Sequence, residues 1–144
     1  KHPVGTDLMN IIEKNTNIEL GWYYQYMVNT NDLPDYSIDT VYGSGLKTSI
    51  VLGKRAQMPM PVDLCVEMKN GTKVFYTIPV DLMREPKKSD KDMPMLKALP
   101  SWNWTNPNYE CTLDIPMNDI FSIKIDPTKR MLDSDATSNE WMNK

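Results

Sequence analysis

The sequence is poor in the residues from which catalytic and metal sites are usually built. It contains one histidine, His2, and two cysteines, Cys65 and Cys111, among 144 residues. A single histidine excludes a multi-histidine zinc site within this chain, and because His2 lies at the end of the chain it is a poor candidate for general acid–base catalysis. The His-Glu-x-x-His, P-loop, dinucleotide-glycine and Gly-x-Ser-x-Gly patterns are also missing. We therefore expect no catalysis by this chain alone, and we assign it no catalytic, cofactor-binding or metal-binding residue.

Positive charge and long apolar runs are lacking as well. The formal net charge is −3, and the acidic and basic residues are interspersed. Nucleic acid is therefore not an expected partner, because binding to phosphates requires a basic surface. No stretch approaches the roughly 20 apolar residues that a membrane-spanning helix needs, so no membrane span is expected.

Glycine is scarcer than proline, with 6 glycines against 11 prolines. Proline ends strands and stiffens turns, and it is disfavoured inside helices. This composition favours a β-rich protein, and the length is that of one domain.

The first part of the chain carries two helical patterns. Thr6 is placed to cap a first helix in which Leu8, Ile11 and Ile12 repeat at helical spacing. Thr16-Asn17-Ile18-Glu19 has the spacing of a capping box that opens a second. The second helix would carry an apolar stripe at helical spacing: Leu20, Tyr23, Tyr24 and Met27. Either the stripe rests on the domain that follows, or it faces a larger helical domain outside this chain.

After Leu33-Pro34 the periodicity changes to that of strands. Candidate strands lie at 36–42, 48–54, 61–69, 72–79, 108–115 and 120–126. Asn70-Gly71 predicts a two-residue type I′ hairpin, so Cys65 to Phe75 should pair in antiparallel fashion. Several short strands without intervening helices predict a mainly β fold, a fibronectin- or immunoglobulin-like antiparallel β-sandwich preceded by two short α-helices.

Three regions follow from these patterns. Residues 1–32 form a helical lead-in, residues 33–128 form the β-sandwich domain, and residues 129–144 form a tail without clear periodicity. The mixed-charge run from Arg84 to Asp92 is interpreted as a solvated loop.

The cysteines are predicted to face opposite ways. Cys65 shares its side of a strand with Asp63 and Glu67, whereas Cys111 shares an apolar side with Leu113. A disulfide needs converging Cβ atoms, so pairing is disfavoured but remains open.

A few polar and aromatic groups are candidates for binding. Asp133, Asp135 and Asn139 have oxygen atoms that suit calcium, although Asp-Ser-Asp is also common in turns. Trp102, Trp104 and Tyr109 suit a sugar- or peptide-binding platform, although aromatic residues are more often core residues. Asn70-Gly71-Thr72 and Asn103-Trp104-Thr105 fit the glycosylation pattern.

Several segments together resemble the C-terminal part of bacterial aminopeptidase N-type zinc metallopeptidases, the gluzincin family. The segments 5–14 and 19–26 resemble the closing helices of that family's catalytic domain, with Tyr23, Tyr24 and Tyr26 near its aromatic positions. The segments 35–41 and 58–64, followed by Asn70-Gly71, resemble the family's fibronectin-like domain. The segments 123–127 and 130–135 resemble its closing strand and acidic turn.

The resemblance implies a function for a parent protein rather than for these residues. The parent would be a hydrolase, a protease that removes N-terminal amino acids from peptides with zinc-activated water. Its zinc ligands would lie upstream of Lys1, and this chain would be a non-catalytic structural domain whose partner is that catalytic domain. Bacterial relatives favour a periplasmic or secreted location.

The alternative is a free-standing β-sandwich module that binds carbohydrate or protein through Trp102, Trp104 and Tyr109. An exposed aromatic row would favour this alternative, whereas an exposed helix face from Tyr23 to Met27 would favour a severed domain contact.

Overall fold

The computed structural model describes residues 2–16 and 18–144. Two helices come first, α1 (Gly5–Thr16) and α2 (Gly21–Asn29). The strands that follow are β1 (Tyr36–Ser44), β2 (Lys47–Lys54), β3 (Val62–Met68), β4 (Lys73–Ile78), β5 (Lys97–Ala98), β6 (Asn108–Leu113), β7 (Ile120–Ile125) and β8 (Glu140–Met142). The predicted fold class, mainly β with two leading helices, is confirmed.

The strands form two sheets that share one core. One sheet has the order β1-β2-β6 and the other β5-β4-β3-β7-β8. All neighbouring strands are antiparallel except β4 and β5, which are parallel. Ile50 and Leu52 of the first sheet and Leu64, Val66 and Ile123 of the second are fully buried in a single hydrophobic cluster. Apolar residues on alternate positions of each strand therefore supply the two inner faces of a sandwich.

The hairpin between β3 and β4 was predicted correctly in its pairing but not in its turn. Cys65 lies opposite Phe75. The Met68 N–H donates to Thr72 O at 2.8 Å and the Gly71 N–H to Met68 O at 2.9 Å, which leaves a three-residue loop. Gly71 has a φ of +83°, and Asn70 is not among the residues with positive φ. The turn is therefore a type I turn closed by a left-handed glycine, rather than a type I′ turn.

Both helix starts differ from the capping predictions. The helix α1 begins at Gly5, so Thr6 lies inside its first turn, and the Val4 N–H donates to Asp7 Oδ2 at 3.0 Å. The helix α2 begins at Gly21 without a side-chain cap, five residues after Thr16. The predicted capping box was therefore wrong about where α2 begins, and its Asn17 lies outside the described residues.

The tail and the charged run are more ordered than predicted. Residues 140–142 form β8, which pairs with β7 at the edge of the larger sheet, so part of the region predicted as a tail without clear periodicity belongs to the sandwich. The run from Arg84 to Asp92 is a loop, but Lys87 reaches the largely buried Asp63 at 2.6 Å. Arg130 of the tail bridges Asp90 and Asp92. These ion pairs bind the loop to the sandwich, so it is not simply solvated.

The two cysteines are free thiols. Cys111 belongs to the core cluster, as its strand pattern predicted. Cys65 lies among Glu67, Lys73 and Lys124 on the outer face of the larger sheet. Burial raises the pKa of both thiols, that of Cys111 to about 11, so neither has the character of an activated nucleophile.

Candidate functional site

The predicted acidic cluster lies in a cleft at the end of β7. The cleft has a volume of about 480 Å³ and is lined by the 125–133 segment and by the start of β8. Asp133 and Asn139 both line it, and the Asn139 Nδ2 donates to Asp133 Oδ2 at 3.0 Å. The structure therefore brings together two of the three residues that the sequence singled out.

The carboxylates of this cluster are already used by N–H donors. Asp133 accepts hydrogen bonds from the backbone N–H of Tyr36 (3.2 Å) and of Asp135 (2.9 Å), in addition to the Asn139 amide. Asp126 accepts from the backbone N–H of Arg130 and of Met131 at 3.0 and 2.8 Å. A carboxylate oxygen that faces N–H groups is poorly placed to bind a cation.

Asp135 has a local role. Its side chain accepts hydrogen bonds from both the backbone N–H and the hydroxyl of Thr137, and so caps the 3-10 turn at Ala136–Ser138. The hydrogen bond from the Thr137 hydroxyl is the main cause of a lowered pKa at Asp135. The geometry is that of turn chemistry, the reading that the Asp-Ser-Asp sequence favoured.

Across residues 2–16 and 18–144, no three His, Cys, Asp or Glu side chains are close enough together to hold a metal ion. The buried Asn139 Oδ1 has no hydrogen-bond partner there, but some charged groups of the cleft are paired with one another. Lys124, for example, pairs with Glu140 at 3.0 Å, and this hydrogen bond raises the pKa of Lys124. The hydrogen bonds of Asp133 to Tyr36 and Asn139 show what this cleft does in the fold: it joins the end of the chain to β1.

The aromatic residues are mostly part of the core. Trp102 is only 3% exposed and stacks on Tyr109 with ring centroids 5.2 Å apart. The Tyr109 hydroxyl donates to Pro100 O at 2.7 Å, and burial raises the pKa of this residue. Trp104 is half-buried beside Lys54. Trp102, Trp104 and Tyr109 therefore do not form an exposed row, and their arrangement does not favour the binding-module alternative.

Two other sequence features are accessible but isolated. His2 is exposed before α1, and the glycosylation patterns place Asn70 and Asn103 at exposed turns. Both asparagine side chains accept a backbone N–H two residues ahead, from Thr72 and from Thr105. Both asparagines therefore form Asx turns, and this local role accounts for asparagine at the two positions without any glycosylation.

The apolar stripe of α2 rests partly on the sandwich. Tyr23 and Met27 line a small cavity with Pro34, Met58 and Met60, and the Tyr24 hydroxyl comes close to Gly5 of α1. Leu20, Tyr23, Tyr24 and Met27 are all half-buried, so the first alternative, a stripe that rests on the domain that follows, is at least partly met. The exposed Tyr23–Met27 face that would have favoured a severed domain contact is not observed.

The exposed apolar face is on α1 instead. Val4, Leu8 and Ile11 are 60%, 57% and 58% exposed. Their i, i+4, i+7 spacing places them on one side of the helix. The spacing of Leu8 and Ile11 was visible in the sequence, but which helix face the sandwich covers could not be read from it.

No family model matches the chain, and no curated protein or solved structure shows significant similarity to it. The resemblance to aminopeptidase N-type proteins therefore stays a prediction. Among the described helices, α1 and α2 included, none has the length and apolar character needed to cross a bilayer.

Proposed function

We propose that this chain is a non-catalytic structural module that packs against a larger domain through the outer face of α1. The observation that carries this proposal is the row of Val4, Leu8 and Ile11, each more than half exposed. Burying one such side chain contributes about 1.5–3 kcal/mol. Three such side chains on one side, Val4 directly before α1 and Leu8 and Ile11 within it, are typical of a contact surface.

The resemblance described above supplies the identity of the larger domain in this proposal. It would be the zinc-dependent catalytic domain of an aminopeptidase N-type protein in the same polypeptide. The chain would brace that domain, and peptide cleavage would belong entirely to the partner. The committed carboxylates of the cleft and the raised thiol pKa values support a role without chemistry of its own.

The first test is an activity assay on the chain alone, with added zinc and an aminoacyl chromogenic substrate. We expect no turnover above the blank. Metal-dependent turnover that survives repurification would contradict the proposal.

The second test addresses the surface. Reading the coding sequence before Lys1 should reveal a His-Glu-x-x-His helix, and that upstream segment, produced separately, should bind the chain. Leu8→Ser should weaken this binding about tenfold or more, because it removes a buried leucine from the contact. Val28→Ser is the matched control, since Val28 is 55% exposed on α2. Equal effects of the two changes, or an upstream sequence without the zinc motif, would refute the assignment.

A further inference from the structure

The two lateral sides of the sandwich are closed differently. On one side, β1 meets the end of the chain: the Tyr36 N–H donates to Asp133 Oδ2 and Tyr36 O accepts from the Ser138 hydroxyl at 3.1 Å. On the other side, β6 is the last strand of its sheet and faces the short β5 of the other sheet. On the second side, no comparable side-chain contact to the backbone of β6 is formed by residues 2–16 and 18–144.

The free edge of β6 can be assigned from its register. The Lys54 N–H donates to Pro107 O at 2.7 Å, and bonded pairs alternate along antiparallel strands. Tyr109, Cys111 and Leu113 therefore direct their backbone groups toward β2. Asn108, Glu110 and Thr112 direct theirs away from β2, where the structure shows them exposed.

A groove with an apolar floor lies beside this edge. Its volume is about 440 Å³, within the range of peptide- and ligand-binding clefts. The apolar side chains that line it are Met68, Val74, Tyr76, Leu99, Leu113 and Ile115. Four of them, Met68, Val74, Leu99 and Ile115, are only partly buried where they pack on the core, so the core is open to solvent along this side.

The rim of the groove is unequally charged. Asp114 forms an ion pair with Lys47 at 3.1 Å. Lys97, on the opposite rim, has its Nζ 5.8 Å from the Tyr76 ring and joins none of the ion pairs formed by residues 2–16 and 18–144. A carboxylate beside Lys97 would complement this charge.

We propose that this groove receives an extended, alternately apolar segment of a partner polypeptide, which adds to the smaller sheet as a strand along β6. Its backbone would pair with Glu110 and Thr112, every second side chain would enter the groove, and an acidic residue would lie beside Lys97. Strand addition fits because main-chain groups give affinity while alternate pockets give specificity. The surface is distinct from the face of α1, so this proposal stands or falls independently of the proposed function.

The test uses the whole chain and a synthetic peptide, acetyl-Glu-Val-Thr-Val-Thr-Val-Thr-amide. Saturating peptide should slow amide hydrogen exchange at Glu110 and Thr112 about tenfold or more, because both N–H groups acquire acceptors. A peptide with proline at its central threonine should not bind, and one with lysine in place of glutamate should bind more weakly. No slowing at about 1 mM peptide would overturn the proposal.

Two proline variants locate the site. Thr112→Pro removes an N–H that points away from β2, and it should weaken peptide binding about tenfold or more. Met142→Pro makes the same change on the outer edge of β8 and should leave binding unchanged. Equal weakening by both would overturn the proposal, as would a free chain that is already dimeric through β6.

A groove variant covers the case in which Thr112→Pro does not fold. Leu99→Gln keeps the backbone N–H that donates to Thr77 O at 2.9 Å but puts a polar group on the groove floor. It should weaken binding of the peptide when measured well below the variant's own midpoint of unfolding, and unchanged binding would contradict the proposal.

Discussion

The β1 side and the β6 side of this sandwich show two ways of treating the edge of a sheet. At the β1 side, residues 133–138 supply a carboxylate and a hydroxyl that bond to the backbone at the start of β1. At the β6 side, half-buried apolar side chains line a groove. Beside it, the backbone N–H and C=O groups of Asn108, Glu110 and Thr112 point away from β2. Because an uncovered edge is a site for strand pairing, the difference separates a structural boundary from a candidate binding surface.

The largest expected effect comes from breaking the covered side. Asp133→Ala removes the acceptor of the buried Tyr36 N–H and of the buried Asn139 amide. An unsatisfied buried donor costs about 1–3 kcal/mol, so we expect a loss of about 2–3 kcal/mol in the free energy of unfolding, measured in urea.

Asp135→Ala is the control for that change. It removes only the cap of a short 3-10 turn, and should cost about 1 kcal/mol or less. If the two variants were equally stable, the hydrogen bonds to Asp133 would not be what holds the end of the chain against β1.

A smaller effect should distinguish the strands through their own cysteines. Cys111 lies on β6, which has one neighbouring strand, whereas Cys65 lies on β3, which has two. An edge strand opens at a lower free energy than a central one. At low denaturant concentration, the backbone amide of Cys111 should therefore exchange its hydrogen faster than that of Cys65, by about tenfold. Faster amide exchange at Cys65 would show that the β6 side is not the weaker one.

The smallest expected effect concerns the ion pairs that attach the 84–92 loop to the tail. The hydrogen bond from Arg130 is the main cause of the lowered pKa of Asp90, about 2. A lowered pKa in the folded state means stability that is present above the ordinary carboxyl pKa and is lost as the pH falls toward 2. Because Asp90 is at the surface, this contribution should be small.

Arg130→Gln should raise the pKa of Asp90 toward 3.8, which NMR titration would follow. It should also flatten the dependence of the free energy of unfolding on pH between about pH 4 and pH 2. Arg84→Gln is the control, because Arg84 pairs with Glu19 and not with Asp90. An unchanged Asp90 titration in Arg130→Gln would show that the bridge does not form in solution.

Local sequence patterns predicted the parts of the fold that depend on neighbouring residues. Alternation placed β1 to β4, β6 and β7, and Asn70-Gly71 placed the hairpin. The predicted turn type was wrong because the loop that forms needs only one residue with positive φ, Gly71, whereas a type I′ turn needs two. The strand β8 was missed because the three residues Glu140–Met142 are too few to show a period.

The candidate site depended on contacts that sequence spacing does not encode. Asp133 and Asn139 were chosen for their oxygen atoms, but their role is set by Tyr36, 97 residues from Asp133. The groove at β6 combines residues of β3, β4, β5 and β6, and no pattern within one strand indicates which edges of two sheets leave a gap. The helical spacing of Leu8 and Ile11 on α1 was visible in the sequence, but their exposure was not.

The most direct measurement of the difference between the two sides is amide hydrogen exchange on the free chain at single-residue resolution. The Tyr36 N–H should be strongly protected, while those of Glu110 and Thr112 should exchange close to the rates of an unstructured peptide. Protection of Thr112 equal to that of Tyr36 would mean that the β6 edge is already covered, and would contradict the account.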